Sequence, residues 1–405
     1  MTKQFDKPET GKSGTFLFSH RTNWYRQLNK ISELFESLRK SGRLILDLTV
    51  SNPTKCGIGY PEKEILTALS NPSSLHYEPN PRGLLIARNA IREYCGKKNI
   101  ILDPSSIFLT ASTSEAYSLI LKLLCNAGEN IIVPRPSYPL FDYLAQVNDV
   151  ELNYYHLHYD HEWQIDTDSI KNIINKNTKA IVLINPHNPT GMFLRQNDYH
   201  EIVEIAKEYN LALIVDEVFI DYHFDDDENR IASTANETEV LTFALNGISK
   251  SCGLPQMKLG WIIVGGHSSV VLEAIARLEI LCDTFLSVNT PVQVALPQLL
   301  EHGEIIQRKI LDRICTNYSI LRTQTLDTPC SVLSADGGWY GIIRIPRTKS
   351  DEDWAIQLLE NKGVYLFPGY FFDFDEDGYL VVSLLVESSV FQKGVREIVD
   401  YVSAV

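Results

Sequence analysis

Apolar residues along this chain change their spacing several times, and each change marks an element. Trp24, Leu28, Ile31, Leu34, Phe35 and Leu38 recur at helical intervals, which predicts a helix over about 23–39 that Gly42 ends. Residues 43–50, RLILDLTV, read as a short strand entering the turn SNPT. Helical patterns return over 84–95 and 114–125, the second preceded by Ser112, Thr113 and Ser114, residue types that cap helix starts. Between and after these helices come short runs that are apolar at every position: IFLTA (107–111), IIVP (131–134), AIVLI (180–184), LALIVD (211–216) and GWIIVG (260–265). A strand with one wet face alternates, so unbroken runs predict strands buried on both faces. Helical stretches such as 197–209 separate them, giving an α/β fold with a doubly wound, mostly parallel sheet. A long amphipathic segment over 290–325 then leads to a strand-rich part (GGWYGIIRIP, GVYLFPG, GYLVVSLLV) with a helix near 351–362, read as a smaller α+β domain. The expected division is an N-terminal segment over 1–60 packing with the small domain, a large domain over 61–300 and a small domain over 301–405. Residues 1–15, charged and rich in Lys, Thr and Gly, read as disordered.

Composition narrows the function without naming it. The 405 residues, 44% hydrophobic and 22% charged, are ample for a large core. A net charge of −14 argues against a nucleic-acid or anionic-membrane partner, since both need basic patches. No apolar run approaches the ~18–20 residues a membrane helix needs, and the polar start MTKQFDKPETGKSG lacks the apolar stretch of a secretory leader. Seven cysteines without a CxxC read as reduced thiols, so a cytoplasmic protein is expected.

Candidate chemistry sits at the ends of the apolar runs. In NGISKSCGLPQMKLGW, Lys250 follows a tight turn and a second cation, Lys258, comes eight positions later. A lysine amine condenses with an aldehyde, and a cation or a helix N-terminus holds a phosphate, so this pair suits pyridoxal phosphate. Ser112, Thr113 and Ser114 follow IFLTA and open a helix, where backbone N–H groups gather for a phosphate or where a plain cap would sit. Tyr138, in PRPSYPLF, either stacks on a pyridine ring or packs over its proline-rich turn. Asn188, in NPHNPTG, offers an amide N–H to a phenolic oxygen. Asp216 closes LALIVD at the carboxyl edge of the sheet, where a carboxylate would keep a pyridine nitrogen protonated.

Taken together, HYEPNPRG, TASTSEA, PSYP, NPHNPTG, VDEVF, SKSCGLPQMKLGW and FPGYFF make the chain resemble the class I/II aminotransferases, fold-type I pyridoxal-phosphate enzymes, over about residues 45–400. The resemblance implies an internal aldimine at Lys250, which then shuttles a proton; Asp216 on the ring nitrogen; Asn188 on the 3′-oxygen; and Tyr138 stacked on the ring. It assigns the phosphate to Thr113 and Ser114 beside Ser112, with Lys258. Tyr77, in HYEPNPRG, matches a tyrosine that reaches the phosphate of a second subunit, implying a homodimer with shared sites. The substrates implied are an amino donor and an oxo-acid acceptor, with a decarboxylase or lyase, or a non-catalytic pyridoxal-phosphate protein, as the other readings.

Four matched positions depart from the family pattern. Lys258 stands for an arginine, Gly247 for a serine, Phe219 for a tyrosine whose hydroxyl helps keep the imine pKa low, and Val381 for the arginine that clamps the substrate carboxylate. Phe219 therefore suggests a raised imine pKa. Arg21, Arg26, Lys55 and Arg82 are candidates to replace the missing clamp. HLHYDHEW (156–163) is read as a strand rather than a metal site, Cys252 as packing, the acidic run 225–228 as a solvated loop, and Trp339 and Tyr340 as parts of the small domain, with the border of the substrate entrance as their other reading.

Overall fold

The computed structural model describes residues 18–24 and 27–405; the segment expected to be disordered over 1–15, and Arg26, lie outside the described residues. The strands are β1 (Leu46–Asp47), β2 (Ile107–Thr110), β3 (Asn130–Arg135), β4 (Glu151–Asp160), β5 (Glu162–Ile165), β6 (Thr178–Ile184), β7 (Ala212–Asp216), β8 (Thr242–Gly247), β9 (Gly260–Gly265), β10 (Ser331–Val332), β11 (Tyr340–Arg344), β12 (Val364–Tyr365), β13 (Phe367–Pro368) and β14 (Tyr379–Ser383). Eight of them form one sheet in the order β2-β9-β8-β7-β6-β3-β4-β5. Strands β8, β7, β6, β3 and β4 are parallel; β9 runs antiparallel between β2 and β8, and β5 antiparallel to β4.

All five apolar runs fall on strands of this sheet, and their side chains divide between two cores. Ile131, Val133, Val182, Ile214 and Ile262 face one core, while Ile132, Ile181, Leu183, Leu213 and Val215 face the other. Burial on both faces is why no polar residue interrupts them. Helices complete the crossovers between the parallel strands. Leu140–Val147 joins β3 to β4, and Gln196–Tyr209 joins β6 to β7, stopping where Asn210 turns left-handed at φ 53°. Parallel strands point their carboxyl ends one way, so the loops after β3, β6, β7 and β8 share one edge. β2, antiparallel to β9 and hence parallel to β8, opens there too.

A four-stranded antiparallel sheet, β10-β11-β14-β13, and the two-stranded β1-β12 make up the second layer. The 36-residue helix Thr290–Thr325 packs on Glu62–Leu69 and Leu85–Gly96 as well as on Ser388–Ala404, so the boundary expected at 300/301 falls inside one continuous helix. The strand expected over 43–50 shrinks to two residues, because its partner β12 is equally short. Beyond it, Leu48 donates its N–H to Tyr365 and accepts from Ser383, fastening the N-terminal segment to the small sheet. Among the described residues no helix is long and apolar enough to cross a membrane.

Candidate active site

Two opposite charges meet at the centre of the carboxyl edge. Asp216 ends β7, and Lys250 lies in the short helix Ile248–Ser251 that follows β8 directly. Each residue is partly exposed over its length, yet the charged ends lie deep. Burial lowers the Lys250 amine to about 8, against the opposing pull of Asp216. Burial likewise raises Asp216 to about 6, opposed by a hydrogen bond from the Val218 N–H at 3.1 Å, another from the Tyr117 hydroxyl at 3.3 Å, and the Lys250 charge. The pair therefore holds an ionised carboxylate beside an amine that is neutral above pH 8, the form that attacks a carbonyl. The amine packs against aromatic faces, 4.5 Å from the Trp339 ring and 5.3 Å from Phe219, while the Tyr222 hydroxyl donates to the Lys250 carbonyl.

The end of β2 supplies an anion seat. Ser112 caps the helix Thr113–Leu124 by accepting the Glu115 N–H at 3.2 Å, and the Glu115 carboxylate takes the Ala111 N–H at 2.6 Å. The Ser112 hydroxyl is thus already engaged. The Thr113 and Ser114 backbone N–H groups and hydroxyls, unlike the Glu115 and Ala116 N–H groups, have no acceptor in the chain among the described residues, leaving donors for a phosphate. Gly260 of β9 forms the floor: a Cβ there would meet the Asn246 oxygen at 3.1 Å and the Ser112 carbonyl carbon at 3.2 Å. Gly247 is its partner in register, and a Cβ on Gly247 would lie 2.9 Å from both the Gly260 Cα and the Leu259 oxygen. No serine fits at 247 without moving β9, which is a physical reason for that departure. Lys258 sits left-handed at φ 54° in the turn before β9, exposed and unpaired among the described residues.

Asn188 and Tyr138 follow the neighbouring strands. β6 pairs with β7 so that Ile184 lies opposite Asp216, and the Asn185 N–H donates to the Asp216 carbonyl at 2.9 Å, bringing the 185–191 turn to the aspartate. Tyr138 follows β3, partly buried, and the Ser137 N–H before it donates to Phe372 at 2.7 Å. The loop before β11 closes over this edge: Asp336 and Gly337 donate N–H groups to the Gly191 carbonyl, and Gly338 donates to Tyr222. Trp339, expected to build the small domain, is instead pinned by this loop against Lys250, with Phe219 and Tyr222 edge-on at 5.3 and 5.1 Å. Tyr117 and Tyr222 are residues here that the sequence did not single out, and Trp339 was read chiefly as part of the small domain.

Other expected groups lie elsewhere. Tyr77 is 80% exposed on its own loop. Arg82 donates to the Ser105 carbonyl at 2.8 Å and pairs with Glu279 at 3.2 Å, Arg21 hydrogen-bonds Asp149 at 2.8 Å, and Lys55 is exposed. The first two are committed to other partners, which corrects their reading as a substrate clamp. Val381 is fully buried in β14 between Ile342 and Phe367. His156 contacts Asp375 at 3.1 Å and His158 contacts Asp166 at 3.2 Å, each tying β4 to a neighbouring segment.

These residues fit pyridoxal phosphate. Buried polar atoms without a hydrogen-bond partner among the described residues follow these strand ends: Asn188 Oδ1, His187 Nε2 and Ser137 Oγ, with Trp339 Nε1 in the loop before β11. Such orphans cost about 1–3 kcal/mol each when nothing pairs them. An amine, a carboxylate, an amide, a ring to stack on and a helix N-terminus line up on adjacent strands, matching aldehyde, pyridine nitrogen, phenolic oxygen, ring and phosphate.

Comparison with known proteins gives the same picture. The family model described as aminotransferase class I and II matches residues 46–393. A glutamate-pyruvate aminotransferase of Haemophilus influenzae is 30% identical over 360 residues, 86% of this chain and 88% of that one. The tyrosine aminotransferase of Caenorhabditis elegans is 27% identical over 95% of this chain and 84% of its own. An S-alkyl-thiohydroximate lyase of Arabidopsis thaliana is 29% identical over 76% and 69%. The crystal structure of an aminotransferase from Escherichia coli superposes with a TM-score of 0.84 at 24% identity, covering 96% of this chain and 99% of that one.

Proposed function

The chain belongs to the class I and II aminotransferases, pyridoxal-phosphate enzymes, and from that premise we propose that Lys250, Asp216, Asn188, Tyr138 and the Ser112–Thr113–Ser114 turn carry its chemistry. When bound, the cofactor supplies an aldehyde that condenses with amines and a pyridinium ring that withdraws electrons from the substrate's Cα. Lys250 presents the neutral amine and then carries the proton taken from Cα. Asp216 holds the ring-nitrogen proton, and the Tyr117 hydroxyl with the Val218 N–H keeps that carboxylate ionised. Asn188 donates to the phenolic oxygen, Tyr138 stacks on the ring, and Thr113 and Ser114 with Lys258 hold the phosphate. The buried pairing of Asp216 with an amine lowered to about 8, at the edge where the strands end, is the observation that supports this reading most.

An amino acid and a 2-oxo acid are the substrate pair. A screen of amino acids without oxo acid, followed by absorbance, tests the reaction type. Conversion of the cofactor to its amine form supports transfer, whereas released CO₂ or a cleaved product supports the decarboxylase or lyase reading that the Arabidopsis relative keeps open.

Tyr117→Phe removes one of two donors to a buried carboxylate. The proton affinity of Asp216 then rises, so cofactor binding to the apoenzyme, which the ionised carboxylate strengthens without being required for attachment, should begin to weaken at a higher pH. We expect its acid limb, near pH 6 in the wild type, to move up by roughly half to one pH unit. Equilibrium dialysis with pyridoxal phosphate across pH measures this, and an unmoved limb would remove Tyr117 from the account.

The enzyme also acts as a homodimer in this reading. Leu75, Tyr77, Leu85, Ile280 and Phe285 are large, apolar and more than half exposed. Of these, Tyr77 and Phe285 border one cleft, and a second copy would cover that surface. Light scattering should give twice the 45.9 kDa chain mass, and Tyr77→Phe should weaken cofactor retention about tenfold while leaving the dimer intact. A monomer with full cofactor affinity would contradict the shared site. The seven cysteines, all free, support a cytoplasmic location.

A further inference from the structure

The helix that carries Lys250 is a single turn, Ile248–Ser251, far below the ~12–15 residues at which an isolated helix becomes stable. Its backbone is tied by the Cys252 and Leu254 N–H groups to Ile248 and by the Gly253 N–H to Lys250. Three side chains from distant parts of the chain take the carbonyls of this turn and its exit. The Tyr222 hydroxyl donates to the Lys250 carbonyl at 2.5 Å, the Gln307 amide to Ser251 at 3.2 Å, and the Tyr60 hydroxyl to Gly253 at 2.6 Å. They come from the segment after β7, the long helix Thr290–Thr325 and the segment before Glu62–Leu69. Gly303 lets the long helix lie flush with the turn, since a Cβ there would stand 2.7 Å from the Cys252 Cβ.

Tyr222 is tied to the site at more points than the other two. It is fully buried, and burial, with Asp221 beside it, holds the phenol well above its ordinary pKa, so the hydroxyl stays a donor. Its carbonyl accepts the Gly338 N–H at 2.7 Å, and its ring meets Trp339 edge-on at 5.1 Å. The residues after it continue the attachment. Phe224 donates to the Asp336 carbonyl at 2.8 Å, and a Cβ on Gly337 would lie 2.9 Å from the His223 Cα. One residue therefore fixes both the backbone under Lys250 and the loop that sets an aromatic ring 4.5 Å from its amine. On a flexible four-carbon stem, the place of the amine depends on the anchor at Cα and on the walls around it.

We propose that Tyr222 is the positioning residue that holds the Lys250 amine in line with the substrate's Cα proton, with Gln307 and Tyr60 steadying the same turn. The inference rests on the reaction proposed above and names residues that act through Lys250 rather than on the substrate. A proton moves efficiently only between atoms held near hydrogen-bond distance, so slack in the anchor slows the transfer while leaving the binding contacts alone.

Tyr222→Phe keeps the ring against Trp339 and removes the hydroxyl. A single conversion of the holoenzyme cofactor to its amine form is followed with L-alanine or L-glutamate, whichever is faster in the wild type. It should slow about three- to tenfold, with the Kd of donor and of cofactor each within about twofold of wild type. The deuterium isotope effect with the Cα-deuterated donor should be at least as large as in the wild type, because proton transfer is the slowed step. Tyr60→Phe should show the same pattern with a smaller loss, and decides the matter by the same criteria if Tyr222→Phe does not fold. Hydrogen exchange of the apoenzyme reads the hold without cofactor. The amides of 248–254 should exchange about three- to tenfold faster in the variant, while β6 and β7 keep their protection. An unchanged conversion rate, or unchanged exchange at 248–254, would overturn the proposal. So would a loss spread equally over rate and both affinities, or an isotope effect that collapses toward one, since either reduces Tyr222 to packing. A wild-type enzyme with no cofactor attached at Lys250 would overturn the reaction itself, a result seen before any variant is made and so distinct from the others.

Discussion

Lys250→Ala should lower amino transfer on the order of 10⁴-fold or more, because one side chain supplies both the amine and the proton carrier. Among the described residues Lys250 is the lysine whose charge acts on the Asp216 carboxylate, so no other stands ready to substitute. Lys250→Arg is the more informative variant. It keeps a cation over Trp339 and Phe219, but a guanidinium is never neutral near pH 8 and cannot condense with an aldehyde. It should therefore fail as completely as alanine while the fold, followed by circular dichroism and thermal melting, is retained. Wild-type rates in Lys250→Arg would refute the assignment.

The second large effect is expected at Asp216. Asn is nearly isosteric and can still accept the Val218 N–H on its one oxygen, with its NH₂ turned to the Tyr117 hydroxyl, but it cannot oppose a positive ring nitrogen. Leaving one member of a buried charge pair unpaired costs about 3–5 kcal/mol, which corresponds to a fall of roughly 10²–10⁴-fold in kcat. Asp216→Asn should still attach its cofactor at Lys250, since the amine and the phosphate seat are untouched. That split separates Asp216 from Lys250: one variant carries the cofactor and turns over slowly, the other does neither. If Asp216→Asn kept full kcat, the carboxylate would have no part in stabilising the ring.

Much of this molecule is legible in the sequence for a simple physical reason. Strands buried on both faces admit only apolar residues, so IIVP, AIVLI and LALIVD mark β3, β6 and β7, and whatever polar residue ends each run stands at the carboxyl edge. Asp216 was visible on those grounds alone. The short β1 was over-read because RLILDLTV is apolar along its length, while pairing depends on a partner elsewhere that offers two residues. Tyr117 was missed, and Trp339 was read mainly as small-domain packing, because their importance is a contact made across the fold. A tyrosine one turn into an amphipathic helix, or a tryptophan ahead of a strand, reads as core until the structure sets it beside Asp216 or Lys250. Two of the cations weighed as clamps, Arg21 and Arg82, failed for a related reason: sequence reveals charge but not that Arg21 is held by Asp149, or Arg82 by Glu279 and the Ser105 carbonyl. Gly247 shows the reverse, a departure whose cause, the Gly260 backbone against it, lies on a neighbouring strand.

The most direct measurement is borohydride reduction of the cofactor-saturated enzyme followed by peptide mass mapping. The account predicts a single pyridoxyl-phosphate adduct on the peptide that carries Lys250, lost in Lys250→Arg. A saturated protein whose Lys250 peptide stays unmodified, or whose adduct maps to another lysine, would contradict it.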